Sequence, residues 1–187
     1  MGILRHCERG ELCPLPSRLL IGRGPASSLR LEKPEVSGEH ATILWVRGGW
    51  HVRDLGSRNG TFVDGARLEA GGSRPLKHGV KVSFGSDTEE WELVDAGPPV
   101  AMAQCLETDE LRPVLDGVLV LPKPSRPVWS IYSNLRGEWV GEGPEGALQT
   151  LRTGDVLQVD DQGWRIWLPQ GVAKTATVGL GPELDTS

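Results

Sequence analysis

Three short segments of the sequence combine side chains that can hold an anion. They are Gly22-Arg23, the tetrapeptide Ser37-Gly38-Glu39-His40, and the run Ser57-Arg58-Asn59-Gly60-Thr61. Arginine offers a planar fork of N–H donors, and serine offers one donor on a short stem. Both suit a phosphate group, because charge-assisted hydrogen bonds are worth roughly 1.5–3 kcal/mol each. Asn59 carries a donor and an acceptor, so it can pair with a peptide backbone whatever the peptide's side chains.

Each segment lies at the end of a predicted strand or in a turn. Apolar runs with β-branched and aromatic residues predict strands over 18–23, 40–46, 50–55, 60–68, 80–85 and 89–95. The Asn59-Gly60 step is a strong hairpin signal, because both residue types tolerate positive φ. Closely spaced strands and turns are typical of a β-sandwich, whose loops gather at its two ends. We therefore expect segments distant in sequence to share one surface.

In this order and spacing, the three segments resemble the forkhead-associated (FHA) domain family over about residues 3–96. The resemblance implies an eleven-stranded β-sandwich whose loops at one end bind phosphothreonine peptides. By position, it assigns the phosphate to Arg23 and Ser37 and the ligand backbone to Asn59. Arg58 stands at a loop position that contacts the phosphate or its neighbour. The residues expected to shape the loops, or to leave room for the anion, are Gly22, Gly38, His40, Ser57, Gly60 and Thr61.

The function that follows is a non-catalytic adaptor that binds a phosphothreonine partner downstream of a Ser/Thr protein kinase. The alternative is a phosphate-independent scaffold or assembly subunit built on the same fold. A hydrolytic triad of Ser37, His40 and Asp54 is disfavoured, since the chain has no Gly-x-Ser-x-Gly elbow. We expect Asp54 to cap the following turn instead. Neither enzymatic activity nor a cofactor is predicted.

Charge and cysteine content restrict the classes of partner and ligand that the chain could bind. Residues 1–97 carry 13 basic and 13 acidic side chains, and residues 98–187 carry 7 and 12, which gives the net charge of −5. Nucleic-acid binding depends on a basic face, so it is disfavoured. No apolar run is long enough to span a membrane and the N-terminus lacks a targeting segment, so we predict a cytoplasmic protein. Cys7, Cys13 and Cys105 form no metal-ligand spacing with the four scattered histidines, and no metal site is predicted.

The second part of the chain, residues 98–170, is predicted to be a smaller, acidic, β-rich subdomain. A linker is predicted over 96–101 and a short helix over 102–111. Strands are predicted over 117–121, 128–132, 137–143, 155–159 and 164–169. It could be a degenerate half-FHA repeat or only a similar rhythm of hairpins. The sequence alignment sets Trp50 beside Trp129 and Trp91 beside Trp164. It also sets "SNLRGEW" (133–139) at the Ser57–Thr61 loop without the binding residues, so no phosphate binding is expected there.

Residues 171–187 lack hydrophobic periodicity and are predicted to be a flexible tail. The tail contains Thr175, Thr177 and Thr186. A phosphorylated tail threonine could occupy the binding loops of its own chain and block other partners.

Overall fold

Short strands dominate the chain in the computed structural model, which describes residues 1–169. Eleven strands form the first part, followed along the chain by eight more. The first eleven are β1 (Gly2–His6), β2 (Leu12–Pro14), β3 (Arg18–Gly22), β4 (Leu29–Arg30), β5 (Ala41–Val46), β6 (Gly49–Asp54), β7 (Thr61–Val63), β8 (Ala66–Arg67), β9 (Ser73–Leu76), β10 (Lys81–Phe84) and β11 (Glu90–Ala96). A 3-10 turn over Asp87–Glu89 precedes β11.

The eleven strands pack as two sheets. One has six strands in the order β2-β1-β11-β10-β7-β8, and the other has five in the order β4-β3-β5-β6-β9. Alternate residues of β6 point inward, so Trp50, Val52 and Asp54 are buried while Arg53 is exposed. The core between the sheets also holds Trp91. The predicted all-β fold with an eleven-stranded sandwich is confirmed.

The second part forms two four-stranded sheets with a hydrophobic core of their own. Their orders are β13-β12-β19-β18 and β14-β15-β16-β17. The strands are β12 (Met102–Cys105), β13 (Leu111–Pro113), β14 (Val118–Lys123), β15 (Arg126–Ser133), β16 (Trp139–Glu142), β17 (Leu148–Thr150), β18 (Val156–Val159) and β19 (Gln162–Trp167), with a 3-10 turn over Pro144–Gly146. We call this part the second module. The boundaries 1–97 and 98–170 remain a prediction, and the tail over 171–187 with its three threonines lies outside the described residues.

The helix predicted over 102–111 is wrong. Met102–Cys105 forms a strand with all four residues buried, and the chain then turns at Asp109, whose φ is 58°. The strand has partners on both sides, β13 and β19, which satisfy its backbone groups. Tertiary pairing therefore overrides the weak local helix preference of this segment.

The sheet that contains β12 lies between two cores. Met102 and Trp167 pack into the core of the eleven-stranded sandwich. Their neighbours Ala103 and Ile166 point the other way, into the core of the second module. Successive side chains of a strand point to opposite faces, so one sheet serves both cores. Gln104 reinforces the junction, because its Nε2 donates to the carbonyl oxygen of Leu12 at 3.0 Å.

We propose that the second module is a degenerate repeat of the sandwich. Strand β1 pairs with β2 and β11, and β11 with β10, while β12 pairs with β13 and β19, and β19 with β18. Equivalent turns have equivalent hydrogen bonds: the amide of His6 donates to the Glu11 carbonyl, and that of Cys105 donates to the Glu110 carbonyl. Trp91 pairs with His6 as Trp164 pairs with Cys105, in agreement with the sequence alignment of the two tryptophans.

Strand register changes the rest of that alignment. Trp50 lies opposite Leu76, and in the second module the Leu151 amide donates to the Trp139 carbonyl. Within the proposed repeat, Trp139 and not Trp129 is therefore the equivalent of Trp50. The sequence alignment shifted here because two β-meanders with similar spacing can be superposed one strand out of step.

The same shift relocates "SNLRGEW" (133–139). It forms the turn between β15 and β16, so within the proposed repeat it corresponds to the turn between β5 and β6. The connection equivalent to residues 55–72 is only residues 143–147, and the equivalent of residues 23–40 is the tight hairpin at 123–126. The second module therefore lacks the segments that carry the candidate binding residues, and not merely their side chains.

Replacing Trp167 by alanine should lower the stability of both modules, because its side chain is buried at the junction between them. Loss of a buried tryptophan typically costs about 3–5 kcal/mol of unfolding free energy, and we expect a decrease of this size in urea denaturation. Leu135→Ala, at a fully exposed position, is the control and should leave the midpoint unchanged. A Trp167→Ala variant as stable as the wild type would contradict the proposed junction.

Candidate functional site

Arg23 follows β3 directly and projects from the end of the sandwich. Its backbone amide donates to the Ser37 carbonyl at 2.8 Å, and its side-chain Nε donates to the Val36 carbonyl at 3.3 Å. Within residues 1–169, no hydrogen bond or ion pair involves the two terminal nitrogens of this exposed guanidinium. The fork is thus oriented by one nitrogen and has two others free for an anion.

The loop that accepts the hydrogen bond of the Arg23 amide carries the hydroxyl of Ser37. Its Oγ accepts a hydrogen bond from the Arg58 amide at 3.0 Å, which leaves the hydroxyl hydrogen available to a ligand. Next to it, Gly38 faces open space, and its carbonyl accepts bonds from the Gly24 amide and from the Ser27 hydroxyl. The loop that carries the donor is therefore held from three sides without a side chain to crowd the ligand.

His40 braces two loops from inside. Its ring is fully buried, Nδ1 accepts from the Ser37 amide at 3.1 Å, and Nε2 lies 3.1 Å from the Gly60 carbonyl. Since Nδ1 accepts, Nε2 must carry the proton and donate to Gly60, so the ring is neutral. Burial lowers the pKa of His40 below 6.5, against smaller opposing effects of the Gly60 carbonyl and the Asp54 carboxylate.

A buried carboxylate organises the loop between β6 and β7. Asp54 accepts hydrogen bonds from the amides of Gly56 and Ser57 and from the hydroxyls of Ser57 and Thr61, at 2.5–3.0 Å. Burial favours the neutral acid, but together these bonds outweigh it and hold the pKa of Asp54 below its ordinary value. The prediction that Asp54 caps the following turn is confirmed. Ser57 continues the network, since its Oγ accepts from the Gly60 amide.

Arg58 and Asn59 stand at the tip of this loop. The Arg58 side chain is exposed and makes no hydrogen bond or ion pair with any residue that the structure describes. Asn59 is half-buried, and its Nδ2 donates to the Glu35 carbonyl at 2.7 Å, which leaves its Oδ1 and one N–H for a peptide. Gly60 has a φ of +94°, a conformation that glycine adopts without a steric penalty. The four predicted ligand residues therefore lie on loops joined directly by hydrogen bonds.

Gly22 is required by close backbone approach. A Cβ on Gly22 would clash with the carbonyl oxygen of Gly38, so any larger residue would push apart the loops that carry Arg23 and Ser37. The positions of all ten predicted site residues relative to each other are thus explained by contacts. Their roles towards a ligand remain a proposal.

The triad considered from sequence does not form. Ser37 uses its amide, not its hydroxyl, to contact His40, and the Asp54 oxygens bond to the amides and hydroxyls of residues 56–61. A serine nucleophile must place its hydroxyl within hydrogen-bonding distance of the base. Residues 1–169 contain no group of three or more potential metal-binding side chains, and no helix among them is long and apolar enough to cross a membrane.

Comparison with known proteins gives the family. Residues 19–85 match the family model described as the FHA domain. This chain carries an FHA domain. The match spans β3 to β10 and contains every residue of the candidate site.

Curated relatives match about a third of the chain. FhaB, an FHA domain-containing protein of Mycobacterium tuberculosis, is 36% identical over 64 residues, which cover 34% of this chain and 41% of FhaB. The ABC transporter ATP-binding/permease protein Rv1747 of the same organism is 43% identical over 61 residues, 33% of this chain and 7% of Rv1747. The chain thus spans less than half the length of these relatives.

Solved FHA domains resemble about half of the chain. A structure of the FhaA FHA domain with the intracellular domain of Rv3910 is 28% identical, with a TM-score of 0.44, and covers 49% of this chain and 98% of that one. An FHA domain from a study of phosphothreonine-dependent interactions is 26% identical, with a TM-score of 0.43, and covers 49% of this chain and 94% of that one.

Sequence reasoning missed several contributors to the FHA domain site. The carbonyls of Glu35 and Val36 hold Asn59 and Arg23, and backbone acceptors leave no signature in residue types. Gly85 was also missed, although a glycine directly after a strand was a usable signal. Its φ is +78°, its amide donates to the Gly60 carbonyl, and a Cβ there would clash with the Glu35 carbonyl.

Acid should destabilise the FHA domain through His40. Because its pKa is lowered in the folded state, the unfolded chain binds the proton more readily below the ordinary value of 6.5. We expect Tm to fall as pH decreases from about 7.5 to about 5, measured by thermal unfolding. His40→Asn, which cannot titrate, should start lower and fall less. Equal slopes for variant and wild type would refute a linkage to this imidazole.

Neutralising Asp54 should loosen the loop between β6 and β7. Asp54→Asn replaces one acceptor oxygen by a donor that faces other donors, so we expect a loss of about 2 kcal/mol in unfolding free energy. Urea denaturation at neutral pH measures it. Asp161→Asn, an exposed acid of the second module, is the matched control and should unfold like the wild type. A neutral effect of Asp54→Asn would show that the network contributes nothing.

Proposed function

We propose that the FHA domain binds phosphothreonine-containing segments of a partner protein, with Arg23 and Ser37 on the phosphate. The observation that carries this proposal is a pair of donors without partners among residues 1–169, the terminal nitrogens of Arg23 and the hydroxyl hydrogen of Ser37. Their loops are joined by the hydrogen bond from the Arg23 amide to the Ser37 carbonyl. A phosphothreonine brings about −1.5 to −2 charge and three acceptor oxygens. A fixed fork and a short donor match such a group, since little side-chain freedom is lost on binding.

The second wall of the proposed site would hold the peptide. Arg58 is exposed, lies one residue before Asn59 and has no side-chain partner among residues 1–169, so it would contact the phosphate or an adjacent acidic group. Asn59 would pair with the backbone next to the phosphothreonine through its free Oδ1 and N–H. Recognition of a backbone needs no particular neighbouring side chain, and the phosphate would supply most of the affinity.

Such a protein acts by association. We infer a non-catalytic adaptor in the cytoplasm that responds to a Ser/Thr protein kinase, because only phosphorylation of the partner creates the group that the site fits. The second module would accompany the FHA domain to the partner and would not bind phosphate itself.

Removing the fork should abolish most of the binding. Arg23→Ala is expected to lower the affinity for a phosphothreonine peptide ten-fold or more, since a lost charge-assisted hydrogen bond of about 1.4 kcal/mol corresponds to a factor of ten. Calorimetric titration with peptides selected from a phosphothreonine library measures it. Lys77→Ala, which removes a cation from the turn between β9 and β10, is the matched control and should bind like the wild type.

The unphosphorylated threonine peptide separates this function from a phosphate-independent scaffold. Wild-type protein should bind the phosphorylated peptide and ignore the other. Equal binding of both peptides, or an unchanged affinity in Arg23→Ala, would favour the scaffold.

A further inference from the structure

A cleft of about 760 Å³ lies at the junction between the FHA domain and the second module. On one side it is lined by Ala26, Ser27 and Ser28 of the loop between β3 and β4. On the other side lie Asp109 and Arg165. Its volume falls in the range of about 300–1,000 Å³ that ligand-binding clefts occupy. Neither module forms it alone.

Exposed charges of both signs line this cleft. Glu11 and Arg30 belong to the FHA domain, and Asp109 and Arg165 to the second module. Arg30 pairs with Glu32, Glu11 pairs with Arg9 at 3.5 Å, and Asp109 accepts a hydrogen bond from Gln104. Arg165 forms no ion pair with the residues that the structure describes. The cleft therefore suits a polar chain segment with charged side chains better than an apolar ligand.

The cleft and the phosphate site share a loop. Residues 24–28 follow Arg23, and the Ser27 hydroxyl donates to the Gly38 carbonyl at 3.2 Å. The Gly24 amide donates to the same carbonyl at 2.9 Å, one residue beyond Ser37. One side of this loop thus contacts the candidate phosphate site while Ala26–Ser28 form a wall of the cleft. The wall of the cleft thus begins three residues after Arg23 along the chain.

We propose that the cleft binds a second segment of the phosphothreonine partner, beyond the residues next to the phosphothreonine. This inference rests on the proposed function of the FHA domain. An acidic side chain of the segment would pair with Arg165, and a basic one with Glu11 or Asp109. The second module thereby contributes to partner choice although it holds no phosphate-binding loops. Specificity would come from two linked contacts, each of which raises the effective concentration of the other.

A library of phosphothreonine peptides with randomised flanks tests the proposal on the full chain. The core of about seven residues around the phosphothreonine is kept constant, and each flank adds about eight residues. An extended chain spans about 3.3 Å per residue, so each flank is long enough to extend past the loop of residues 24–28. Wild-type protein should enrich peptides with acidic and basic residues in one distant flank. Calorimetry should show these peptides binding about ten-fold more tightly than the core, as one added charge-assisted pair predicts.

Two variants test whether the additional affinity of the long peptides comes from the cleft. Arg165→Ala should remove the acidic preference, Asp109→Asn should weaken the basic one, and each should bring the long peptide towards the affinity of the core. Asn tolerates the positive φ of Asp109 and keeps an acceptor for Gln104, so the turn is preserved. Arg136→Ala, an exposed arginine of the second module outside the cleft, is the matched control. Unchanged affinity for the core peptide in every variant shows that the proteins are folded.

The outcomes distinguish the two proposals. If the core peptide fails to bind wild-type protein, both the proposed function and this inference are overturned. If the core binds but no distant flank is enriched, only the role of the cleft is overturned. A gain that survives both Arg165→Ala and Asp109→Asn has the same consequence, because the extra contact then lies elsewhere.

Discussion

The imidazole of His40 joins its own loop to the loop of Gly60, twenty residues further along the chain, at one end of the sandwich. It accepts from the Ser37 amide and donates to the Gly60 carbonyl, so it can serve both only as a neutral ring. Burial enforces that state, and Asp54 fixes the second loop with four hydrogen bonds. Two polar groups in the protein interior therefore position the candidate ligands without contacting any ligand themselves.

The backbone orients the exposed side chains of Arg23 and Asn59 while leaving some of their donors without a partner among residues 1–169. Carbonyl oxygens of Val36 and Glu35 orient Arg23 and Asn59 through one nitrogen each, and the remaining polar atoms face outward. Preorganisation of this kind reduces the entropy lost on binding. It also explains why the second module, which has the same strand order in its inner sheet, offers no comparable surface. Its short connections at 123–126 and 143–147 have no room for loops that brace one another.

The second module is instead tied to the FHA domain by a shared sheet. Met102 and Trp167 belong to one core while Ala103 and Ile166 belong to the other, so the two parts cannot separate without exposing apolar surface. That rigid junction forms the polar cleft beside the loop of residues 24–28. A composite surface of this kind requires a fixed relation between the modules, which a flexible linker would not give.

The sequence by itself determined the all-β class, the principal strands, the FHA resemblance and the candidate ligands, because strand periodicity, turn glycines and motif spacing are local properties. It also identified Asp54 as a turn cap. It could not show that Met102–Cys105 is a strand, or that Gly85 and two carbonyls support the site. Those features depend on which strands pair and on which residues of other segments each residue contacts. Only tertiary structure decides such contacts, since they join segments far apart in the chain and can override local preference.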